Sequence, residues 1–99
     1  MSTDSVASID TQHVAAIAKP YRLQFEQAQD SWVLLYPEGM VKLNGPAGEI
    51  LKRMDGLKNI DSVVDELETA FEQKGLRKDV VSFIEIALQK RWITLSSPK

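Results

Sequence analysis

The 99-residue sequence contains no cysteine, a single histidine and no apolar run of membrane-spanning length. Without cysteine, the chain cannot form disulfides, thiolate metal sites or a thiol nucleophile. His13 has no carboxylates at ligand spacing around it, which disfavours both a metal site and general-base catalysis. The sequence shows neither a transmembrane helix nor a secretory signal. We therefore expect a cytoplasmic protein that has no membrane contact, bound metal or organic cofactor.

A basic surplus is also missing, since 12 lysine and arginine residues face 14 aspartate and glutamate residues, for a net charge of −2. Domains dedicated to nucleic acids usually carry excess positive charge, so this balance disfavours a nucleic-acid partner. The 43% share of hydrophobic residues is that of an ordinary soluble protein. A chain of this length is expected to form one domain with a modest core.

Catalytic patterns are lacking as well. The serines at 31, 62 and 82 have no histidine partner in the expected domain, which excludes a hydrolase triad. The segment Gly45-Pro46-Ala47-Gly48 opens a predicted helix but lacks the lysine and hydroxyl residue of a phosphate-binding loop. The sequence therefore predicts a protein with no catalytic residues.

The first 19 residues are mostly small or polar, and we interpret them as a mobile arm. Within the arm, residues 13–18 are compatible with one or two helical turns ended by Pro20. Residues 20–95 are predicted to form the folded domain. Its first part alternates apolar and polar residues, with Tyr21, Leu23 and Phe25 on one face, which is typical of a strand with one buried side.

Two more apolar runs follow, Trp32–Tyr36 and Met40–Leu43, separated by the turn residues Pro37-Glu38-Gly39. The sequence therefore predicts a three-stranded antiparallel meander. Its third strand, Met40–Leu43, is the last in order and is expected to be an open edge protected only by Lys42.

Three helices are predicted after the meander. The first spans 46–54, with Gly45 as its cap and Asp55-Gly56 as its stop. The second begins after Asn59 and ends by Gly75, and the third spans 78–92. The apolar arc of the third helix covers roughly 240°, whereas a helix with one buried face needs little more than 100°. Phe83 and Ile86 fall on one margin of this arc, and Val81 and Trp92 on the other.

An open edge strand beside a helix with spare apolar surface can bind an extended peptide as an added strand. The alternative is that the spare face packs on the sheet, on the arm or on a second subunit. A homodimer formed through the open edge is also compatible with these features.

The sequence resembles the PqqD family of pyrroloquinoline quinone biosynthesis. The resemblance is carried by these residues: L-L-Y-P-E-G at 34–39, L-N at 43–44, and Ala47, Glu49, Ile50 and Leu51. It continues through Asp55-Gly56, the apolar positions 60, 63, 64 and 67, Asp79-Val80 and Arg91-Trp92-Ile93. It covers about residues 19 to 93 and leaves residues 1–18 outside.

The resemblance implies an α+β, winged-helix-like recognition element for a modified peptide, with three strands followed by three helices. Such proteins hold the precursor peptide PqqA and present it to PqqE, a radical S-adenosylmethionine enzyme that cross-links a glutamate and a tyrosine of the peptide. In related elements the peptide adds beside the third strand and against the third helix. We therefore predict a peptide-binding site formed by Met40, Val41, Lys42, Leu43, Phe83, Ile86 and Lys90.

Two other functions remain compatible with the sequence. A winged-helix nucleic-acid-binding protein would place Arg77, Lys78, Lys90 and Arg91 on phosphates, but these charges flank an apolar helix centre, the reverse of a base-reading surface. A recognition element for a different modified peptide would keep the fold and the binding mode while changing the partner.

Overall fold

The computed structural model describes residues 9 to 97, which form six strands and three helices. The strands are β1 Val14–Ile17, β2 Arg22–Glu26, β3 Ser31–Tyr36, β4 Gly39–Lys42, β5 Asp55–Asn59 and β6 Ile93–Ser96. The helices are α1 Gly45–Leu51, α2 Ile60–Ala70 and α3 Arg77–Gln89. The strands form two antiparallel sheets, ordered β2-β3-β4 and β5-β1-β6. The architecture is α+β, and no helix within residues 9 to 97 is long and apolar enough to cross a membrane.

The β2-β3-β4 sheet confirms the predicted meander. Leu34 of β3 lies opposite Leu23 of β2 and Val41 of β4, so these three side chains share one face. Leu34 is fully buried in the core, whereas Phe25, on the same face of β2, is 42% exposed. The sheet therefore contributes its centre to the core and leaves one end of β2 in solvent.

The second sheet was not predicted. β1 lies at its centre and pairs with β5 on one side and β6 on the other. Ala15 in β1 is fully buried. The predictions of a mobile arm and of a helical turn are therefore wrong for Val14–Ile17, because backbone pairing on both sides fixes this segment as a strand despite its weak β-propensity. The part of the predicted arm formed by residues 1–8 lies outside the described residues.

Side-chain caps fix where α1 and α2 begin. The Asn44 side chain accepts a hydrogen bond from the Ala47 N–H at 2.8 Å, so Asn44 caps α1 and the prediction of Gly45 as the cap is wrong. Asn59 caps α2 as predicted, accepting from the Ser62 N–H at 2.8 Å. The predicted stop at Asp55-Gly56 is instead the start of β5.

The third helix is shorter than predicted. α3 ends at Gln89, and Arg91 adopts a left-handed conformation with φ 64°. Trp92 therefore leaves the direction of the helix and leads into β6. Val80, Ile84 and Ala87 form the buried face of α3. They join a single core that includes Leu34 and Leu43 of the meander region.

Candidate functional site

The outer edge of β4 carries backbone groups that no strand within residues 9 to 97 pairs with. The Leu43 N–H donates to the Trp32 carbonyl oxygen at 3.0 Å, which directs Leu43 toward β3. Backbone groups alternate in direction along an antiparallel strand, so Val41 also faces β3 while Met40 and Lys42 point their N–H and C=O groups away from it. Among residues 9 to 97, no strand pairs with this side of β4. The predicted open edge is thus present, and Met40 and Lys42 are its donors and acceptors.

The four predicted strand residues differ in their side-chain environment. Met40 is 46% exposed, and Lys42 on the same face is also exposed. Val41 is half-buried against the core, whereas Leu43 is only 5% exposed. Leu43 therefore belongs to the core, and its side chain is not available to a ligand.

The three predicted helix residues extend from the middle of α3 to the position directly after its end. Phe83 is half-buried against the core, Ile86 is 47% exposed, and Lys90 follows directly after the helix. The Phe83 and Trp92 ring centroids are 6.4 Å apart, and the Lys90 Nζ lies 5.8 Å from the centroid of the Trp92 ring. Phe83, Lys90 and Trp92 thus form one cluster.

The assignment of Trp92 to the opposite margin from Phe83 is wrong. It assumed that each residue turns the chain by 100°, but the helix ends at Gln89 and the backbone reverses at Arg91. Trp92 was consequently missed as a neighbour of the predicted site. The helix-terminating sequence Lys90-Arg91 contains no glycine or proline, so the sequence carries no strong signal for this early end.

The strand edge and the helix margin border the same core. Leu43, directly after β4, and Ile84, at the centre of α3, belong to one contiguous cluster of buried residues. Val41, Phe83 and Trp92 pack against that cluster from its surface. The arrangement joins free backbone hydrogen-bonding groups with apolar side chains, which suits an extended peptide better than a compact small molecule.

An apolar cleft of about 600 Å³ lies beyond the last residue of β4. Its lining comes from the start of α1, the end of α2 and the start of α3: Gly45, Pro46, Glu49, Ile50, Leu67, Phe71, Gln73, Leu76, Asp79 and Val80. Sequence reasoning did not identify it, because its walls come together only when the three helices pack.

Two carboxylates line the cleft, and of these Glu49 forms ion pairs. The Arg53 Nη1 donates to the Glu49 Oε1 at 2.9 Å, and this hydrogen bond is the main reason that the pKa of Glu49 is lowered. Lys52 adds a second cation to Glu49 at 3.4 Å. Within residues 9 to 97, no ion pair involves Asp79, and no group of three potential ligands could hold a metal ion.

One of the four cations required for phosphate binding already has an acidic partner. Arg77 forms an ion pair with Asp61 of α2, and this hydrogen bond is the main cause of the lowered pKa of Asp61. The structure therefore adds no support for the nucleic-acid alternative.

Comparison with known proteins identifies the family. The family model for "Coenzyme PQQ synthesis protein D (PqqD)" matches residues 31–93. The chain belongs to the PqqD family. The match begins at the start of β3 and ends in β6, so it contains both β4 and α3.

Relatives of known name support the PqqD assignment over most of the chain. A protein named PqqA binding protein from Pseudomonas paraeruginosa (strain DSM 24068 / PA7) is 47% identical over 92 residues, covering 92% of this chain and 98% of its own length. A protein of the same name from Klebsiella pneumoniae (strain 342) is 45% identical over 87 residues, covering 87% of this chain and 95% of its own.

A solved structure matches the PqqD fold. It is the solution structure of the PqqD truncation of Methylobacterium extorquens PqqCD, described as a functional and stand-alone recognition element for ribosomally synthesised and post-translationally modified peptides. The TM-score is 0.73 at 22% sequence identity, and the match covers 91% of this chain and 98% of that chain. At this identity the likeness establishes the fold.

Proposed function

We propose that this PqqD-family protein binds the precursor peptide PqqA and presents it to PqqE in pyrroloquinoline quinone biosynthesis, without catalytic residues of its own. The observation that carries the proposal is the open edge of β4, which borders the same core as α3. The names of two relatives, which are 45% and 47% identical, support PqqA as the peptide.

The peptide adds as a fourth strand to the β2-β3-β4 sheet. Its backbone pairs with the outward N–H and C=O groups of Met40 and Lys42, which makes no demand on the peptide sequence. Specificity therefore comes from side chains. Those of the peptide that point toward the core meet Val41 together with Phe83 and Ile86 of α3.

Each remaining site residue has a defined part in this binding mode. Lys90, held over Trp92, provides a cation for an acidic residue of the peptide. Leu43 anchors the strand, because its side chain is in the core and its N–H bonds to β3. Strand addition immobilises one segment of the peptide in the groove between β4 and α3. The segments outside this groove stay free for PqqE.

Hydrogen exchange of single amides tests the binding mode. Synthetic PqqA should slow the exchange of the Met40 and Lys42 amides, because these N–H groups gain a partner only in the complex. The opposite edge of the sheet provides the control: the Leu23 and Phe25 amides also point outward, and their exchange should not change. Protection at β2 instead of β4 contradicts the site, and no PqqA binding contradicts the function.

Alanine variants test the side chains. Phe83→Ala and Ile86→Ala should each weaken PqqA affinity by about 1–2 kcal/mol, or more if the residue is a hot spot. Val81→Ala, on the opposite margin of α3, is the matched control and should bind normally. Melting curves must accompany each titration, because Phe83 also packs on Trp92. If both variants are folded and keep full affinity, the groove lies at the Val81 margin.

A further inference from the structure

We infer that the cleft between the three helices is a pocket for one large apolar side chain of the bound peptide, with a neighbouring basic residue of the peptide facing Asp79. This inference rests on the proposed function and adds a determinant of specificity to it. The pocket accepts a residue of leucine or aromatic type at one end of the peptide.

The position of the cleft connects it with the groove. Gly45 and Pro46 line the cleft. They come directly after Asn44, which follows Leu43, the residue after β4 whose N–H still bonds to β3. On the other wall, Val80 lies one helical turn before Phe83. Both elements that flank the added strand therefore continue into the walls of the cleft. A peptide that runs past Leu43 between β4 and α3 reaches its opening.

The composition of the cleft selects an apolar occupant. Ile50, Leu67 and Val80 form a buried floor, each less than 10% exposed. Phe71 stands on the rim and is 49% exposed. An exposed phenylalanine above an apolar floor gains free energy when a second apolar group covers it, and pockets of this composition are typical binding sites.

Hydrogen bonds hold the walls in place before a ligand arrives. The Leu76 N–H donates to the Glu68 Oε2 at 3.0 Å, which fixes the turn between α2 and α3 against the end of α2. The cap from Asn44 to the Ala47 N–H fixes the start of α1. The pocket is therefore preformed, and binding loses little free energy in ordering it.

The charges define what accompanies the apolar residue. Glu49 already has Arg53 and Lys52 as partners, whereas no cation among residues 9 to 97 pairs with Asp79. A lysine or arginine next to the apolar residue of the peptide complements this carboxylate. A neighbouring acidic residue would be repelled by it.

A paired substitution experiment identifies the occupant. Phe71→Ala should weaken the affinity for synthetic PqqA about five- to thirtyfold. In an alanine scan of the large apolar residues of PqqA, one replacement should weaken binding to the unsubstituted protein but cause no further loss with Phe71→Ala. Leu57→Ala is the control, because Leu57 is 84% exposed and lies outside the cleft.

A second variant tests the charge. Asp79→Asn should weaken binding about two- to fivefold at low salt, and added salt should remove the difference. Asp65→Asn, on the surface of α2 and outside the cleft, should have no effect. In both titrations the methyl resonances of Ile50 and Val80 should shift when PqqA binds, which reports contact without any substitution.

The outcomes separate this inference from the proposed function. If PqqA protects the Met40 and Lys42 amides but leaves the Ile50 and Val80 methyl signals and the Phe71→Ala affinity unchanged, the pocket is refuted and the function stands. If Phe71→Ala alters self-association but not PqqA affinity, the cleft is a contact between copies of this chain and the inference is wrong. If PqqA does not bind at all, both the pocket and the proposed function are refuted.

Discussion

The indole of Trp92 packs against the ring of Phe83, with 6.4 Å between their centroids and 43° between their planes. The contact is possible because the backbone reverses at Arg91, after the end of α3. Lys90 covers the same indole. The C-terminal end of α3 therefore presents two packed aromatic rings with a cation beside them.

The Phe83–Trp92 contact should be measurable as a coupling energy. Phe83→Leu and Trp92→Leu are each expected to destabilise the fold, and a double-mutant cycle in urea should give a coupling of about 0.5–1.5 kcal/mol. A cycle between Phe83 and Trp32 is the control, since Trp32 packs on Phe25 instead. Additive effects of Phe83→Leu and Trp92→Leu would contradict the contact.

Two isoleucines of α3 should respond differently to truncation. Ile84 is fully buried, so Ile84→Ala should lower the free energy of unfolding by about 2–5 kcal/mol by leaving a cavity in the core. Ile86 is 47% exposed, so Ile86→Ala should cost less than about 1 kcal/mol. Thermal melts of the two variants measure the difference, and equal losses would place Ile86 in the core.

Gly48 should tolerate no side chain. A Cβ at this position of α1 would lie 2.6 Å from the Cδ1 and 2.9 Å from the Cβ of Trp32. Gly48→Ala is therefore expected to destabilise the protein by about 1–3 kcal/mol, despite the better helix propensity of alanine. Gly45→Ala is the control, since a Cβ there meets nothing within 4 Å. Urea unfolding of both variants tests this, and equal stability would show that Trp32 can move aside.

The Asp61–Arg77 ion pair should make stability depend on acidity. The hydrogen bond from Arg77 holds the pKa of Asp61 below its ordinary value, so the folded state favours the ionised carboxylate. This contribution is complete above the ordinary carboxyl pKa of about 3.9 and is lost as the pH falls through the lowered value. Both side chains are more than a third exposed, so the pair should contribute only about 0.2–1 kcal/mol.

Arg77→Gln removes the pair, and its cost in free energy of unfolding should be constant from pH 5 to pH 7 and shrink in stronger acid. Lys78→Gln removes the neighbouring charge and is the control, because no ion pair within residues 9 to 97 involves Lys78. A pH-independent cost of Arg77→Gln would mean that Asp61 is not the group responsible.

Self-association through β4 should compete with peptide binding. An open edge invites pairing with the same edge of a second molecule, so we expect a dimer at high protein concentration. Sedimentation velocity should then show dissociation when PqqA is added. A dimer that persists at saturating PqqA has its interface elsewhere.

The sequence was sufficient where local patterns decide the structure. Alternation around Leu23 identified β2, and the turn residues at 37–39 identified the β3–β4 hairpin with its open edge. The cap at Asn59 and the apolar period of α2 were equally local signals. The resemblance to the PqqD family was also carried by short runs of residues, and the match to the family model confirms it.

The sequence was insufficient where remote segments decide the structure. β1 contains two alanines and β5 begins with Asp-Gly, so neither has the composition of a strand. They form strands because each pairs with a segment far away in the chain. The end of α3 and the cleft have the same origin, since both depend on how three helices and β6 pack together.

The pairing of β1 with β6 has a consequence for synthesis of the protein. Val14 lies opposite Ser96, and Ile17 lies opposite Ile93, so the central strand of one sheet waits for a segment that is made more than 70 residues later. The meander and the first two helices can leave the ribosome while β1 still lacks one of its two neighbours. Until Ile93–Ser96 has emerged, the nascent chain leaves Ala15 and the edge of β1 that later pairs with β6 uncovered. The complete domain can form only after translation has passed that segment.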